Sequence, residues 1–285
     1  MPSDTLKAQA RERDLKVGHF VVEFATPGIG HMLKNAGCDF VLFETEHSGF
    51  HNETIKSVMR YFEAARLPAI VRVPSKEYHH IARAADMGAE GIMLPMVNDA
   101  GEARHILDCM KYVPDGQRGV ALGVAHDMYR GGAVLEKLAA ANARTTFFAQ
   151  IETRAGVENA DAIAAVDGVD CLWVGHFDLS ASLGIPGQFE HKDFLDAIDT
   201  VVRALAAASF SKTAPPRYAS CATPSATPRW PSGTYFMQSR MCRASFASLT
   251  IGSMMPSAPM SAARAMWWYS LDGTRQITGS RAASK

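Results

Sequence analysis

The chain reads as an α/β protein of the (β/α)8 TIM-barrel type whose last two β/α units are degenerate or missing. Three observations predict this. Short apolar runs alternate with helix-period segments through residues 1–208, the order expected of parallel strands joined by right-handed crossovers. The runs are four to six residues long and mostly unbroken by polar positions, as strands covered on both faces require. Six such units fit in 208 residues, which favours an eight-unit barrel over a doubly wound sheet, although periodicity alone does not separate the two.

The expected strands are His19–Phe24, Asp39–Phe43, Ala69–Val73, Gly91–Leu94, Phe147–Ile151 and Asp170–Val174. Between the second and third, Ile55, Val58, Met59 and Phe62 follow the i, i+3, i+4, i+7 spacing of an amphipathic helix, with Asn52 as its N-cap. Ala100, Ala103, Ile106, Leu107 and Met110 repeat the pattern after the fourth strand. The longest connection, about residues 112–146, contains a helix near Ala133–Ala143. Phe194, Leu195, Ile198, Val201, Val202 and Leu205 form the clearest helical stripe in the chain.

Residues 209–285 are a different kind of sequence. Residues 1–208 carry 20 Lys+Arg against 28 Asp+Glu, whereas 209–285 carry 9 against one, so a formal net charge of zero hides a balance of −8 and +8. The same tail holds 14 serines, 7 prolines and three of the four tryptophans. Phe210–Ala214 is read as the start of a seventh strand and Gly233–Gln238 as an eighth; the rest has no period. Two readings stand: a divergent extension without a stable packed fold, or an out-of-frame translation of GC-rich DNA replacing units seven and eight. The first 208 residues are accordingly taken as the catalytic barrel domain and 209–285 as an aberrant Ser/Pro/Arg-rich segment.

Composition excludes several classes. A zero net charge provides no overall field for nucleic acid or an anionic membrane. No stretch approaches the roughly 18 apolar residues of a membrane span, and Met1 to Lys16 lack an apolar signal segment, so the expected location is cytoplasmic. The five cysteines are far apart with no Cys-x-x-Cys pair, against a disulfide framework or a zinc knuckle. Cys171 is expected in the core. His79 and His80, adjacent on a helix, should point apart and make a poor metal clamp.

In a parallel barrel, reactive groups sit where strands end. The second strand ends in Glu44-Thr45-Glu46-His47, the third in Arg72-Val73-Pro74, the fifth in Gln150-Ile151-Glu152 and the sixth in Gly175-His176-Phe177-Asp178. Glu152 and Asp178 are hard oxygen donors at neighbouring strand ends, suited to an octahedral divalent cation, or are helix N-caps or surface acids. His47 beside carboxylates suits a general base near neutral pH, or is a loop histidine. Arg72, inside an apolar strand, needs an anionic partner, whether substrate or salt bridge. Gln150 either bonds a ligand or fills the barrel mouth.

These strand ends, in this order, resemble the HpcH/HpaI family of class II pyruvate aldolases. The resemblance rests on Glu44–Gly49, Val71–Pro74, Gly88–Val97, Gln150–Thr153, Gly168–Asp170 and Gly175–Ser180, and covers about residues 17–207. It implies retro-aldol cleavage of 4-hydroxy-2-oxo acids to pyruvate and an aldehyde. By that resemblance Glu152 and Asp178 are the metal acids, for Mg2+ or Mn2+ with Co2+ or Zn2+ as alternatives. Arg72 stabilises the developing enolate, and His47 serves as base. Gln150 and Phe177 lie by the substrate, and Glu44 stands where many members have an aspartate that orients the histidine. His176 replaces a proline common in this turn. No lysine occupies the six strand ends, consistent with chemistry that needs no Schiff base. The partners implied are the small-molecule 2-oxo acid and aldehyde, and a homo-oligomer packed through C-terminal helices. The alternatives are a citrate-lyase-β-like CoA-ester lyase, against which Glu46-His47 speaks, and a non-catalytic truncated barrel.

Overall fold

The computed structural model describes residues 5–10, 16–212, 267–269 and 275–277. Six parallel strands form one sheet in the order β1 (Gly18–Val21), β2 (Phe40–Glu44), β3 (Ala69–Arg72), β4 (Gly91–Leu94), β5 (Thr146–Ile151) and β6 (Val169–Val174). Sequence order is spatial order, the barrel arrangement expected of successive βα crossovers. The register runs Glu44 beside Arg72, Arg72 beside Met93, Met93 beside Phe148 and Gln150 beside Trp173.

That register sorts the strand residues into two sets. One alternate set, with Phe40, Leu42, Ile70, Met93, Phe148 and Cys171, packs into an inner core. The other, with Val41, Phe43, Val71, Ile92, Phe147 and Leu172, packs beneath the surrounding helices. Every residue of β2 is therefore buried. Cys171 lies in the inner core at 4% exposure, as its place on the strand predicts.

The helices are α1 (Leu6–Gln9), α2 (Ile29–Asn35), α3 (Asn52–Ala64), α4 (Tyr78–Asp86), α5 (Ala100–Met110), α6 (Val134–Arg144), α7 (Arg154–Glu158), α8 (Ala160–Ala165), α9 (His176–Ser182) and α10 (Lys192–Lys212). The apolar stripe of α3 is buried at Ile55, Val58, Met59 and Phe62, but its N-cap is His51 and Asn52 is the first helical residue. Helix α1 has a role its polar sequence does not announce. Leu6 is fully buried in the inner core, with its N–H donated to Glu90 (3.3 Å), and Lys7 pairs with Asp170 at 3.4 Å. It closes the end of the barrel opposite the strand C-termini.

Three expectations need correction. Strand β1 ends at Val21, and Phe24 is 75% exposed, because β1 pairs with β2 over only four residues. Phe210–Ala214 does not begin a seventh strand: α10 continues to Lys212, crossing the compositional boundary at residue 208. Helix-forming Ala206–Ala208 carry it onward, and the first strong breaker is Pro215. Third, the His79 and His80 rings lie 4.1 Å apart between centroids rather than diverging. The eighth strand expected at Gly233–Gln238 lies outside the described residues. Two short antiparallel strands, β7 (Trp267–Tyr269) and β8 (Arg275–Ile277), pair with each other. Among the described residues, β1 and β6 each pair on one side only, and no helix is long and apolar enough to cross a membrane.

Candidate active site

The C-terminal ends of β2, β3, β5 and β6 bring the sequence-predicted polar residues to one rim. Glu44, the last residue of β2, is fully buried and accepts four bonds. Its Oε1 takes the backbone N–H of Glu46 (2.5 Å) and His47 (2.9 Å), and its Oε2 takes Arg72 Nε and Nη2, each at 2.5 Å. Ser48 Oγ donates to the Glu44 carbonyl at 2.7 Å. A buried carboxylate needs such compensation. The consequence differs from the role suggested by resemblance: Glu44 holds the backbone of the 46–47 turn and the guanidinium, not the His47 ring. The extra methylene of glutamate over aspartate suits this reach across to β3. The imidazole itself is 68% exposed, and its Nε2 is 3.9 Å from Glu46 Oε1.

Arg72 joins Glu44 at the end of β2 and Glu46 in the turn that follows. Besides Glu44, its Nε lies 3.3 Å from Glu46 Oε2, and its guanidinium stands over the Phe20 ring at 5.4 Å. The anionic partners that an intrastrand arginine requires are thus present in the protein, and the cation remains at the rim with 12% side-chain exposure.

Glu152 follows β5 and is 2% exposed. Its Oε1 accepts the Met96 backbone N–H at 2.7 Å and its Oε2 accepts the Gln150 amide. Burial raises its pKa to about 7; those two bonds work against the shift, and the Asp178 and Glu46 carboxylates add to it. Glu46 is likewise raised, by burial first, with Arg72 and His47 opposing and Glu44 and Asp178 reinforcing. Glu46, Glu152 and Asp178 therefore share one field, concentrated negative charge that a cation would relieve. In the sequence, Glu46 is named as the neighbour of His47 but has no place among the site residues. The signal was its period-two spacing from Glu44 at a strand end, which puts both near Arg72.

The donor set fits a hard divalent cation. Glu152 and Asp178 supply carboxylate oxygens, and Asp178 sits exposed in the first turn of α9. Gln150 Oε1 is buried with no hydrogen-bond partner among the described residues, an unmet acceptor in the same cluster. Among the described residues no three His, Cys, Asp or Glu side chains cage a cation on their own. Two carboxylates instead match a site completed by water and substrate oxygens.

The surrounding wall is tight on one side and apolar on the other. A Cβ on Gly175 would fall 2.0 Å from Glu152 Oε2, so the backbone before α9 lies directly against the carboxylate. Phe177, 55% exposed, packs edge-on to Phe189 at 5.2 Å, and both rings contact His176. Burial lowers the pKa of His176 to about 4, with Asp178 opposing. The β4 exit is constrained too. Met96 has φ 54°, an unfavourable backbone conformation for a side-chain-bearing residue, and this aims its N–H at Glu152.

Comparison with known proteins gives the family. The HpcH/HpaI aldolase/citrate lyase family model matches residues 18–213. The chain is 36% identical over 193 residues to the hydroxypyruvate/pyruvate aldolase of Roseobacter denitrificans, covering 67% of this chain and 74% of that protein. It is 38% identical over 187 residues to the 4-hydroxy-2-oxovalerate aldolase of Novosphingobium aromaticivorans, covering 65% and 70%. Among solved structures, an HpcH/HpaI aldolase from Desulfitobacterium hafniense DCB-2 superposes with a TM-score of 0.66 at 32% identity, over 69% of this chain and 76% of that one. A six-stranded parallel sheet in barrel order, acids at the ends of β2, β5 and β6, and these likenesses converge: the chain belongs to the HpcH/HpaI aldolase/citrate lyase family and is an enzyme of its aldolase/lyase kind.

Proposed function

We propose that this protein is a divalent-metal-dependent aldolase that cleaves 4-hydroxy-2-oxo acids into pyruvate and an aldehyde. The observation that carries the reading is geometric: Glu152 stands buried at the rim beside Gln150, whose Oε1 has no partner among the described residues, and Glu44 and Glu46 hold the Arg72 guanidinium at the same rim. Glu152 and Asp178 would hold the cation, with Mg2+ or Mn2+ best suited to an all-oxygen set. When bound, that cation supplies Lewis acidity at the substrate's keto oxygen.

The remaining work falls to the chain's own residues. Arg72, fixed by Glu44, provides a preorganised positive charge where the keto oxygen becomes negative as the carbon–carbon bond breaks. His47, exposed at the rim and near Glu46, takes the proton from the substrate 4-hydroxyl. Gln150 holds the Glu152 carboxylate, and Phe177 offers an apolar wall to the leaving aldehyde. Lys76, on the β3–α4 connection, is held by the Met96 carbonyl and by Glu102.

The test is pyruvate release from a 4-hydroxy-2-oxo acid before and after chelation, with Glu152→Ala and Asp178→Ala alongside. Activity should vanish on chelation, return with Mg2+ or Mn2+, and be absent in both variants. A rate indifferent to a strong chelator would remove the metal assignment.

A further inference from the structure

Around the Glu152 carboxylate, one bond comes from an unexpected direction. Its Oε1 is held not by a side chain but by the Met96 N–H at 2.7 Å, from the loop that leaves β4. The peptide presents that N–H because Met96 sits at φ 54°, a region L-residues leave unless something holds them there.

The holding group is on a different loop. Lys76 Nζ, from the β3–α4 connection, donates to the Met96 carbonyl at 2.6 Å and to Glu102 Oε2 at 2.6 Å. Glu102 is itself anchored at the start of α5: its N–H bonds Asp99 Oδ1 (2.9 Å), and its Oε2 accepts the Asn98 N–H (2.8 Å). The path is continuous: the α5 N-terminus fixes Glu102, Glu102 fixes Lys76, Lys76 fixes the Met96 carbonyl, and the Met96 N–H meets Glu152.

We propose that Lys76 is a positioning residue for Glu152, setting the orientation of that carboxylate toward the divalent cation by clamping the left-handed residue Met96 at its carbonyl, one peptide beyond the N–H that meets Glu152. The proposal rests on the reading of Glu152 as a cation ligand. Lys76 touches neither substrate nor cation. Its charge strengthens the bond to the carbonyl, and its reach from β3 ties three successive strand ends together. The Val97 N–H, on the same peptide as that carbonyl, also donates to the Gln150 carbonyl at 3.1 Å, so losing Lys76 removes one of two bonds on that peptide and loosens the Met96 N–H against Glu152. Partners that orient a metal ligand in this way are typically worth roughly tenfold or more in metal affinity.

The experiment measures Mn2+ binding to the substrate-free full chain by calorimetry or by loss of the free-ion paramagnetic resonance signal. It compares wild type, Lys76→Met, Lys76→Arg and Glu152→Gln, each with its melting temperature. Wild type should bind; Glu152→Gln should lose binding outright. Lys76→Met should bind roughly tenfold more weakly at a melting temperature close to wild type, and Lys76→Arg should retain most of the affinity. Wild-type affinity in Lys76→Met, with binding lost in Glu152→Gln, overturns the positioning role and leaves the metal reading standing. Unchanged affinity in Glu152→Gln, or no binding by wild type, overturns both. Equal loss in the Met and Arg variants also overturns the clamp, since arginine keeps the charged donor.

Discussion

Gly175→Ala perturbs the site through backbone space alone, without removing any functional group. Gly175 has φ −82°, a conformation any residue adopts, so alanine carries no dihedral penalty there. The obstacle is steric. The added methyl would stand 2.0 Å from Glu152 Oε2, 2.8 Å from Gln150 Nε2 and 2.8 Å from Glu152 Cβ. Ordinary carbon contacts need about 3.5 Å, so the carboxylate or the β6–α9 turn must yield by roughly 1.5 Å. Misplacing a reacting constellation by about 1 Å costs on the order of a hundredfold in rate, whereas overpacking costs about 1–3 kcal/mol of stability. The expected variant is therefore folded, a few degrees less stable, and about a hundredfold slower. Coupling pyruvate release to lactate dehydrogenase gives the rate, and thermal melting gives the stability. A Gly175→Ala enzyme within twofold of wild type would show that the Glu152 carboxylate does not need its observed position, and the site assignment would fail.

Other outcomes follow from the same geometry. Arg72→Ala strands the fully buried Glu44 carboxylate, so denaturant titration should show a loss of about 3 kcal/mol, while Arg72→Lys should lose catalysis with a smaller stability cost. If the guanidinium serves charge on the keto oxygen, both Arg72 variants slow pyruvate methyl-proton exchange, followed by deuterium NMR, as well as aldol cleavage. His47→Ala, at a side chain 68% exposed, should leave stability unchanged, slow cleavage about a hundredfold and spare exchange; equal loss of both reactions would reassign it. Lys111 supplies the pH prediction. It is buried, donates to the carbonyls of Thr145 (2.8 Å) and Asn142, and has its pKa lowered from 10.5 to about 8 by burial first and by Lys7, with Asp170 and Asp115 opposing. Between those values the unfolded chain binds the extra proton, so this group makes stability rise as pH rises from 8 to 10.5, by about 3 kcal/mol in total. The stability difference between wild type and Lys111→Met should shift in favour of wild type by that order across the window; a flat difference would refute it.

How much of this was legible in the sequence depended on how local the cause was. Strands β3 to β6 were placed within a residue or so, and β4 at its observed bounds, because burial on both faces leaves an unbroken apolar run. The same cue overextended β1, whose apolar residues continue past its pairing with β2. The α10 stripe was visible at period 3.6, but its end was not. Ala206–Ala208 and the following residues carry no stop signal, and a short apolar run looks alike in helix and strand.

The site divides along the same line. The chain by itself determined which residues stand at the strand ends, because a parallel βα unit puts the residue after each apolar run at the catalytic rim. Glu44, His47, Arg72, Gln150, Glu152, Phe177 and Asp178 are reached that way. Only the tertiary structure decided what each one touches: Glu44 turned to Arg72 and the 46–47 backbone rather than to the His47 ring, and Glu46 drawn in as a further carboxylate. It alone carried Lys76 to Met96, laid Gly175 against Glu152 and sent Leu6 into the base of the barrel. The reason is physical. Period and composition act over a few residues, whereas the Lys76–Met96 and Leu6–Glu90 contacts join positions 20 and 84 apart, and only the stagger of neighbouring strands sets which of them meet.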